Sequence, residues 1–338
     1  MNTFEKPIVL APMAGGPSTP ELCAAVSNAG GLGFLAAGYL TPEKLSEHVR
    51  ATESLTDRPF GINLFYPSEP NTGRAGAYEE YRRLLIDECE CAGEFPENPR
   101  WSDDDFEAKF EIALGSRAEF VSFTFGYPTA ERVERVRGAD KLVVLNATTP
   151  REVDHVIDLG CDVVVLQGKA AGGHRGSVLD VGEEGYSYDA RELLEYAAAR
   201  ADVPIFVGGG VGSAGDVREL LEAGADAVVV GTRFLTATEG GTKVTHRRAL
   251  LEFGARGTVV TRAFSGKPAR AIVNGFVERF SGVAPVMYPE VHYLTAGMRA
   301  RANEAGDAEC LNLWAGEGFR YCREAPASEI MAELLALP

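Results

Sequence analysis

The chain has 338 residues, 45% of them hydrophobic and 24% charged, a balance that excludes disordered and fibrous classes. Its 49 acidic residues outnumber 33 basic ones, and the net charge of −16 argues against a nucleic-acid binder. No apolar stretch reaches the ~20 residues a membrane-spanning helix needs.

The opening residues run straight into Ile8-Val9-Leu10 without the zones of a signal peptide. The expectation is a cytoplasmic protein with neither membrane nor nucleic-acid partners. Six cysteines, Cys23, Cys89, Cys91, Cys161, Cys310 and Cys322, are scattered. Cys89 and Cys91 form a C-x-C in an acidic stretch, but no second Cys or His pair stands at zinc-site spacing. Free thiols and no metal are expected.

Short apolar runs recur along the chain, with a helical pattern after almost every copy. They are Pro7–Ala11, Leu32–Ala36, Phe60–Leu64, Phe120–Thr124, Leu142–Leu145, Val163–Leu166, Ile205–Val207 and Ala227–Val230. Continuous apolar runs are what strands buried on both faces require, and such strands belong to parallel sheets. Helix starts carry hydroxyl caps, with Pro at the first helical position after Thr19, Thr41 and Thr149, and Ser213 reads similarly. Eight units in roughly 240 residues predict an α/β fold, a closed (β/α)8 TIM barrel. An open doubly wound sheet, with fewer strands, is the structural rival.

Two segments fall outside the repeat. Residues 66–117 hold a Pro- and Glu-rich loop and a helical piece from Asp103 to Leu114. Residues 240–310 read as a smaller α/β domain capping the barrel mouth. The barrel is then residues 1–239, completed by 311–338, where an amphipathic helix over Ser328–Leu335 returns to it.

In a parallel barrel the active site lies where the strands end. This picks out Met13 after the first run, Asn63 at the end of the third and Tyr127 after the fourth. After the sixth comes Gln167 through Gly176, with Gly172 and His174, followed by Gly208–Gly212 after the seventh and Gly231-Thr232 after the eighth. Gly210-Val211-Gly212-Ser213-Ala214-Gly215 matches a dinucleotide fingerprint, but the acidic residue wanted about twenty positions on is missing. A site for a single phosphate fits instead, built from the last two loops and a helix N-terminus.

Among five histidines, His48 and His155 fall in predicted helices and His246 in a basic helical stretch of the cap, and these read as structural. His174 sits in a glycine-rich loop at the catalytic face, placed for general-base or hydrogen-bonding work, with loop ordering as the alternative. Tyr288, His292 and Tyr293 could line a pocket from the cap or simply pack there.

Three segments together resemble nitronate monooxygenases, formerly called 2-nitropropane dioxygenases, of the bacterial class I type. They are Ala11-Pro12-Met13-Ala14-Gly15-Gly16 with Pro17–Pro20, Gln167-Gly168 through Ala171-Gly172-Gly173-His174-Arg175-Gly176, and Thr261-Arg262-Ala263-Phe264-Ser265-Gly266. Leu313-Trp314-Ala315-Gly316 extends the likeness almost to the C-terminus. The resemblance implies an FMN-binding barrel with a smaller lobe. It implies flavin contacts from Met13, Asn63, Gln167, Gly172, Gly210, Gly231 and Thr232, with His174 as the active-site histidine and Tyr127, Tyr288 and Tyr293 at the substrate pocket. The family reaction oxidises an alkyl nitronate with O2 to a carbonyl compound and nitrite, without a metal. Acceptance of the neutral nitroalkane stays open. Ala170 and Val229 depart from residues common in the family, Glu and a polar residue respectively, and Glu317 stands where Gln is frequent. Two rival functions are a flavin-dependent enoyl-thioester or NADH:quinone reductase on the same scaffold and a non-catalytic flavin-binding redox sensor.

Overall fold

The computed structural model describes residues 4–71, 73–178 and 187–336. Eight parallel strands, each at one of the apolar runs, form the central sheet: β1 (Ile8–Leu10), β2 (Gly33–Ala36), β3 (Phe60–Phe65), β4 (Phe120–Thr124), β5 (Leu142–Ala147), β6 (Val163–Gln167), β8 (Ile205–Gly208) and β9 (Ala227–Val230). The spatial order is β1-β9-β8-β6-β5-β4-β3-β2. A bridge between Val9 and Leu32 brings the last strand against the first. The fold is therefore an α/β TIM barrel.

Both strand faces are buried, which explains the unbroken apolar runs. Val9, Phe34, Phe120, Val144, Val163, Phe206 and Ala227 fill the barrel interior together with Leu32. Their alternates, such as Ile8, Leu10, Ile62, Val121, Leu145 and Val164, pack outward under the helices.

The helix starts follow the cap signals. Thr19, Thr41, Thr149 and Ser213 accept hydrogen bonds from the amides of Leu22, Lys44, Glu152 and Asp216. These caps open α1 (Pro20–Asn28), α2 (Pro42–Leu55), α6 (Pro150–Asp158) and α8 (Ala214–Glu222). At the C-terminus, α13 (Ala327–Leu334) buries Ile330, Met331 and Leu334 in the barrel core beside α1 and α8. It takes the place of the helix that would otherwise follow β9.

The insertion after β3 divides. Its first helix, α3 (Ala75–Glu88), buries Tyr78, Tyr81 and Leu85 against Phe264, Phe276 and Phe280 of the segment after the barrel. Its second, α4 (Phe106–Gly115), packs Phe106 and Phe110 on the barrel. This helix starts later than the residue pattern suggests, because Asp104 and Asp105 adopt left-handed backbone at φ 60° and 51°.

The segment from 240 to 310 carries α9 (Val244–Glu252), β10 (Thr258–Thr261), β11 (Ala269–Ile272), α10 (Gly275–Phe280), α11 (Glu290–Leu294) and α12 (Ala296–Ala305). Strands β10 and β11 pair antiparallel, and a third strand comes from the loop after β6: β7 (Gly173–His174), which sets His174 opposite Ala269. The glycine-rich loop that carries His174 is thus pinned by a long-range strand pair.

The cysteine expectation needs correction. Cys91 and Cys310 form a disulfide across 219 residues of sequence, leaving Cys23, Cys89, Cys161 and Cys322 free. Spacing along the chain cannot show a pair that only the packing of the insertion against the segment after the barrel brings together. Among the described residues no helix is long and apolar enough to cross a membrane.

Candidate active site

At the C-terminal ends of the barrel strands lies a cavity of about 340 Å³, within the size range of cofactor and small-ligand sites. Met13, Asn63, Gln167, Gly172, His174, Gly210, Gly231 and Thr232 all line it. The floor is made of backbone from four loops. A side-chain carbon on Gly172 would stand 2.5 Å from the carbonyl carbon of Ala315, and closer still to the amide of Gly316. Gly210 adopts φ 77°, and a methyl there would meet Ala170 Cβ at 2.7 Å. The loops after β6, β8 and β9 and residues 315–318 therefore approach closely only because these positions lack side chains. Gly316 N donates to Thr232 Oγ1 at 3.0 Å and Glu317 N to Ala170 O at 3.1 Å, which locks them together.

The N-terminus of α8 is not open as the sequence pattern suggested. The amides of Gly212 and Ser213 both donate to Asp216 Oδ2, at 2.8 and 2.9 Å. The helix satisfies itself through a capping box, and a carboxylate stands where an anion was expected. Among the described residues, the amides of Gly210, Gly231 and Thr232 donate to no other protein group, so any anion cradle is formed by the loop ahead of α8 and the loop after β9.

The polar side chains have distinct tasks. Buried Asn63 donates to Ser122 Oγ at 2.8 Å and Thr124 Oγ1 at 2.9 Å, which leaves its carbonyl oxygen for the cavity. Gln167 spends both ends of its amide on the next loop, donating to His174 O at 3.0 Å and accepting from Gly176 N at 2.8 Å. Two buried nitrogens on cavity residues, Asn146 Nδ2 and His246 Nε2, have no hydrogen-bond partner in the described structure. Such orphaned groups are rare in a finished core and fit a polar ligand.

His174 Nε2 lies 2.8 Å from Ser265 Oγ. The imidazole is ringed by Phe125, Tyr288 and Trp314 at centroid distances of 5.6, 5.7 and 5.2 Å. Burial, aided by the charges of Lys267 and Arg299, pushes it down to about 3, below the near-neutral value that a tuned base would show. His246 is lowered to about 4, also by burial first. Arg299 is likewise buried. It donates to Thr295 Oγ1 at 3.1 Å and His292 O at 2.7 Å, and burial brings it down to about 10.

The remaining sequence candidates fall elsewhere. Tyr127 does not line the cavity; its hydroxyl donates to Asn146 O at 2.9 Å from behind the wall. Tyr288 and Tyr293 line a separate cleft of about 30 Å³ next to it. Sequence reasoning missed Lys243, His246 and Arg299 as cavity residues and left His292 open between pocket lining and packing; the structure puts it in the cavity lining. All four lie between residues 240 and 310, and no pattern along the chain shows which side of that segment meets the barrel.

A profile of the family described as nitronate monooxygenase matches residues 1–336. The chain belongs to the nitronate monooxygenase family. It is 35% identical to the nitronate monooxygenase of Pseudomonas aeruginosa over 340 residues, 98% of this chain and 96% of that protein. Among solved structures, the nitroalkane oxidase of Streptomyces ansochromogenes superposes with a TM-score of 0.91 at 42% identity, covering 98% of this chain and 95% of that one. FabK from Thermotoga maritima, at 22% identity and a TM-score of 0.75 over 98% of this chain and 92% of that one, shares the fold. Membership makes the protein an oxidoreductase of a nitronate-oxidising family.

Proposed function

We propose that the protein binds FMN at the strand ends and oxidises small alkyl nitronates with O2 to a carbonyl compound and nitrite. One observation carries this reading. In a chain of net charge −16, the charged side chains lining the described cavity are Lys243 and Arg299, with no Asp or Glu among its lining residues. Such a lining favours anions, here a phosphate and a nitronate.

The residues present fit a flavin mononucleotide. The free amides of Gly210, Gly231 and Thr232 would hold its phosphate, and Met13, Gly172 and the Asn63 carbonyl would meet the rest. Gln167 would act indirectly, by holding the 174–176 loop. Bound FMN supplies the electron-accepting chemistry that this set of side chains lacks.

The chain's own groups bind and orient the substrate. Arg299 offers charge to the nitronate, and the rings around His174 exclude water. The Ser265 hydroxyl reaches Lys267 O at 3.2 Å. When it donates there, His174 Nε2 donates to Ser265 and Nδ1 keeps the lone pair. Nδ1 is then the atom that would take an α-proton from a neutral nitroalkane. Because burial lowers the proton affinity of the imidazole and makes it a weak base, the nitronate, already deprotonated, is the favoured form.

The test is anaerobic mixing of the reconstituted protein with ethyl nitronate, and separately with NADH, while the flavin spectrum is followed and the released cofactor is identified. Bleaching by the nitronate alone and release of FMN are expected. Bleaching by NADH alone would transfer the protein to the reductase class, and release of FAD would refute the cofactor assignment.

A further inference from the structure

Where β2, β3 and β4 end, three aromatic rings stand side by side. Tyr39, Phe65 and Phe125 line both the main cavity and the small cleft beyond it, so they are the partition between the two. Tyr39 and Phe65 meet edge to face at 5.1 Å, and Phe65 and Phe125 lie 4.6 Å apart. The Phe125 ring also meets His174 at 5.6 Å, and Tyr39 stacks on His292 at 4.3 Å. The partition therefore borders the side of the cavity that holds His174.

The backbone is strained to keep the rings there. Tyr39 and Phe125 adopt φ of 67° and 72°, a strained region that bulky side chains avoid. Of the five non-glycine residues with positive φ in the described structure, these two and Asp104 belong to the lining of the cleft. Asp104 Oδ1 accepts from Tyr39 N at 2.9 Å and its other oxygen pairs with Lys109 at 2.8 Å. A side-chain carbon on Gly38 would fall 2.7 Å from Phe65 Cδ2, nearer still to the edge of the ring, so Phe65 lies directly on the backbone. The Tyr39 hydroxyl is tied to Tyr288 Oη at 2.9 Å. Loops held this way are not incidental filling.

We propose that the Tyr39–Phe65–Phe125 wall sets the length of substituent that the substrate can carry, admitting short alkyl groups beside His174 and stopping longer ones short of the outer cleft. The inference deepens the nitronate-oxidase reading and rests on it for the identity of the reacting group. The wall itself concerns only the space behind that group. Opening it would join the 30 Å³ cleft to the cavity and make room for additional methylenes.

Straight-chain carboxylates from acetate to hexanoate test this. Each is an unreactive planar anion with the shape of a nitronate head, so binding is measured by calorimetry without turnover. Nitrite release from ethyl and hexyl nitronate is measured alongside. The native protein is expected to prefer the two-carbon ligand to the six-carbon one by about tenfold or more, the usual worth of a methylene at a closed apolar wall. Phe65→Ala and Tyr39→Gly should each shift that ratio at least tenfold toward six carbons. Tyr39→Gly also relieves the left-handed backbone and keeps the amide that donates to Asp104, so it guards against failure of the first variant to fold. Tyr39→Phe keeps the ring and should keep the native ratio. Native-like chain-length dependence in both opened variants, shown folded by circular dichroism, would overturn the proposal. So would equal affinity of the native protein for acetate and hexanoate. If the carboxylate ratios shift as expected while no nitronate yields nitrite, the wall stands and the functional reading falls.

Discussion

Replacing Gly172 with Ala probes the floor of the cavity. The added methyl would press on the backbone of Ala315 and Gly316, neither of which can rotate away. That backbone is fixed by Gly316 N to Thr232 Oγ1, Glu317 N to Ala170 O and Ala315 N to Arg270 O, at 3.0, 3.1 and 3.2 Å. Either the loops part and lengthen these bonds, or the strain stays in place. Overpacking a close contact costs about 1–3 kcal/mol, and a backbone neighbour puts this case at the upper end, about 3 kcal/mol. With an unfolding entropy of roughly 2.1 cal/mol/K per residue, 338 residues amount to about 0.7 kcal/mol/K, so Tm should fall by about 4 °C. Flavin occupancy after reconstitution should fall as well, because both displaced loops face the ligand. Gly215→Ala in α8 is the control: its nearest neighbour would be Ser213 Oγ at 3.5 Å, and an alanine there should raise Tm by about 1 °C. Differential scanning calorimetry and flavin absorbance read both effects. If Gly172→Ala melts within 1 °C of the native protein with full flavin content, the close approach of these loops does not shape the site.

His174→Asn should lower any nitroalkane activity by at most roughly 10², the lower end for a general base, because the buried imidazole is a weak one, and nitronate activity less, with flavin content unchanged; equal collapse of both activities in steady-state assays would make His174 a binding group and not a selective base. Stability should fall as pH drops below about 6.5. His174 and His246 are held neutral down to about 3 and about 4, while their unfolded forms take a proton near 6.5, so the unfolded chain binds more protons in that window. The loss reaches at most about 2 kcal/mol per histidine at pH 5, and urea unfolding of His246→Gln at pH 7 and pH 5 should show a smaller difference than the native protein. Cys310→Ser should cost about 2–4 kcal/mol by releasing the cross-link to Cys91, and its Tm should no longer respond to dithiothreitol. Thiol titration of the unreduced denatured protein should find four free thiols, and finding all six of the sequence would refute the pairing.

The barrel was legible because its cause is local. A strand buried on both faces must be apolar at almost every position, and a helix is helped to begin by a capping group, so runs such as Val163–Leu166 and starts such as Thr149-Pro150 carry their structure in a few adjacent residues. The glycine loops were legible for a similar reason, since close backbone approach at Gly172 and Gly210 tolerates nothing larger. What the residues could not show was anything decided by two distant segments meeting. The pairing of His174 with Ala269, the disulfide between Cys91 and Cys310, and the placement of Lys243, His246 and Arg299 at the cavity all depend on how residues 240–310 meet the barrel. The depressed proton affinity of His174 belongs with them, because burial and the charges of Lys267 and Arg299 arise only once the cap is in place. Composition and spacing along one chain specify the scaffold and the type of groups at its mouth; the electrostatics and the shape of the site come from contacts between segments far apart in sequence, and only the tertiary structure sets those.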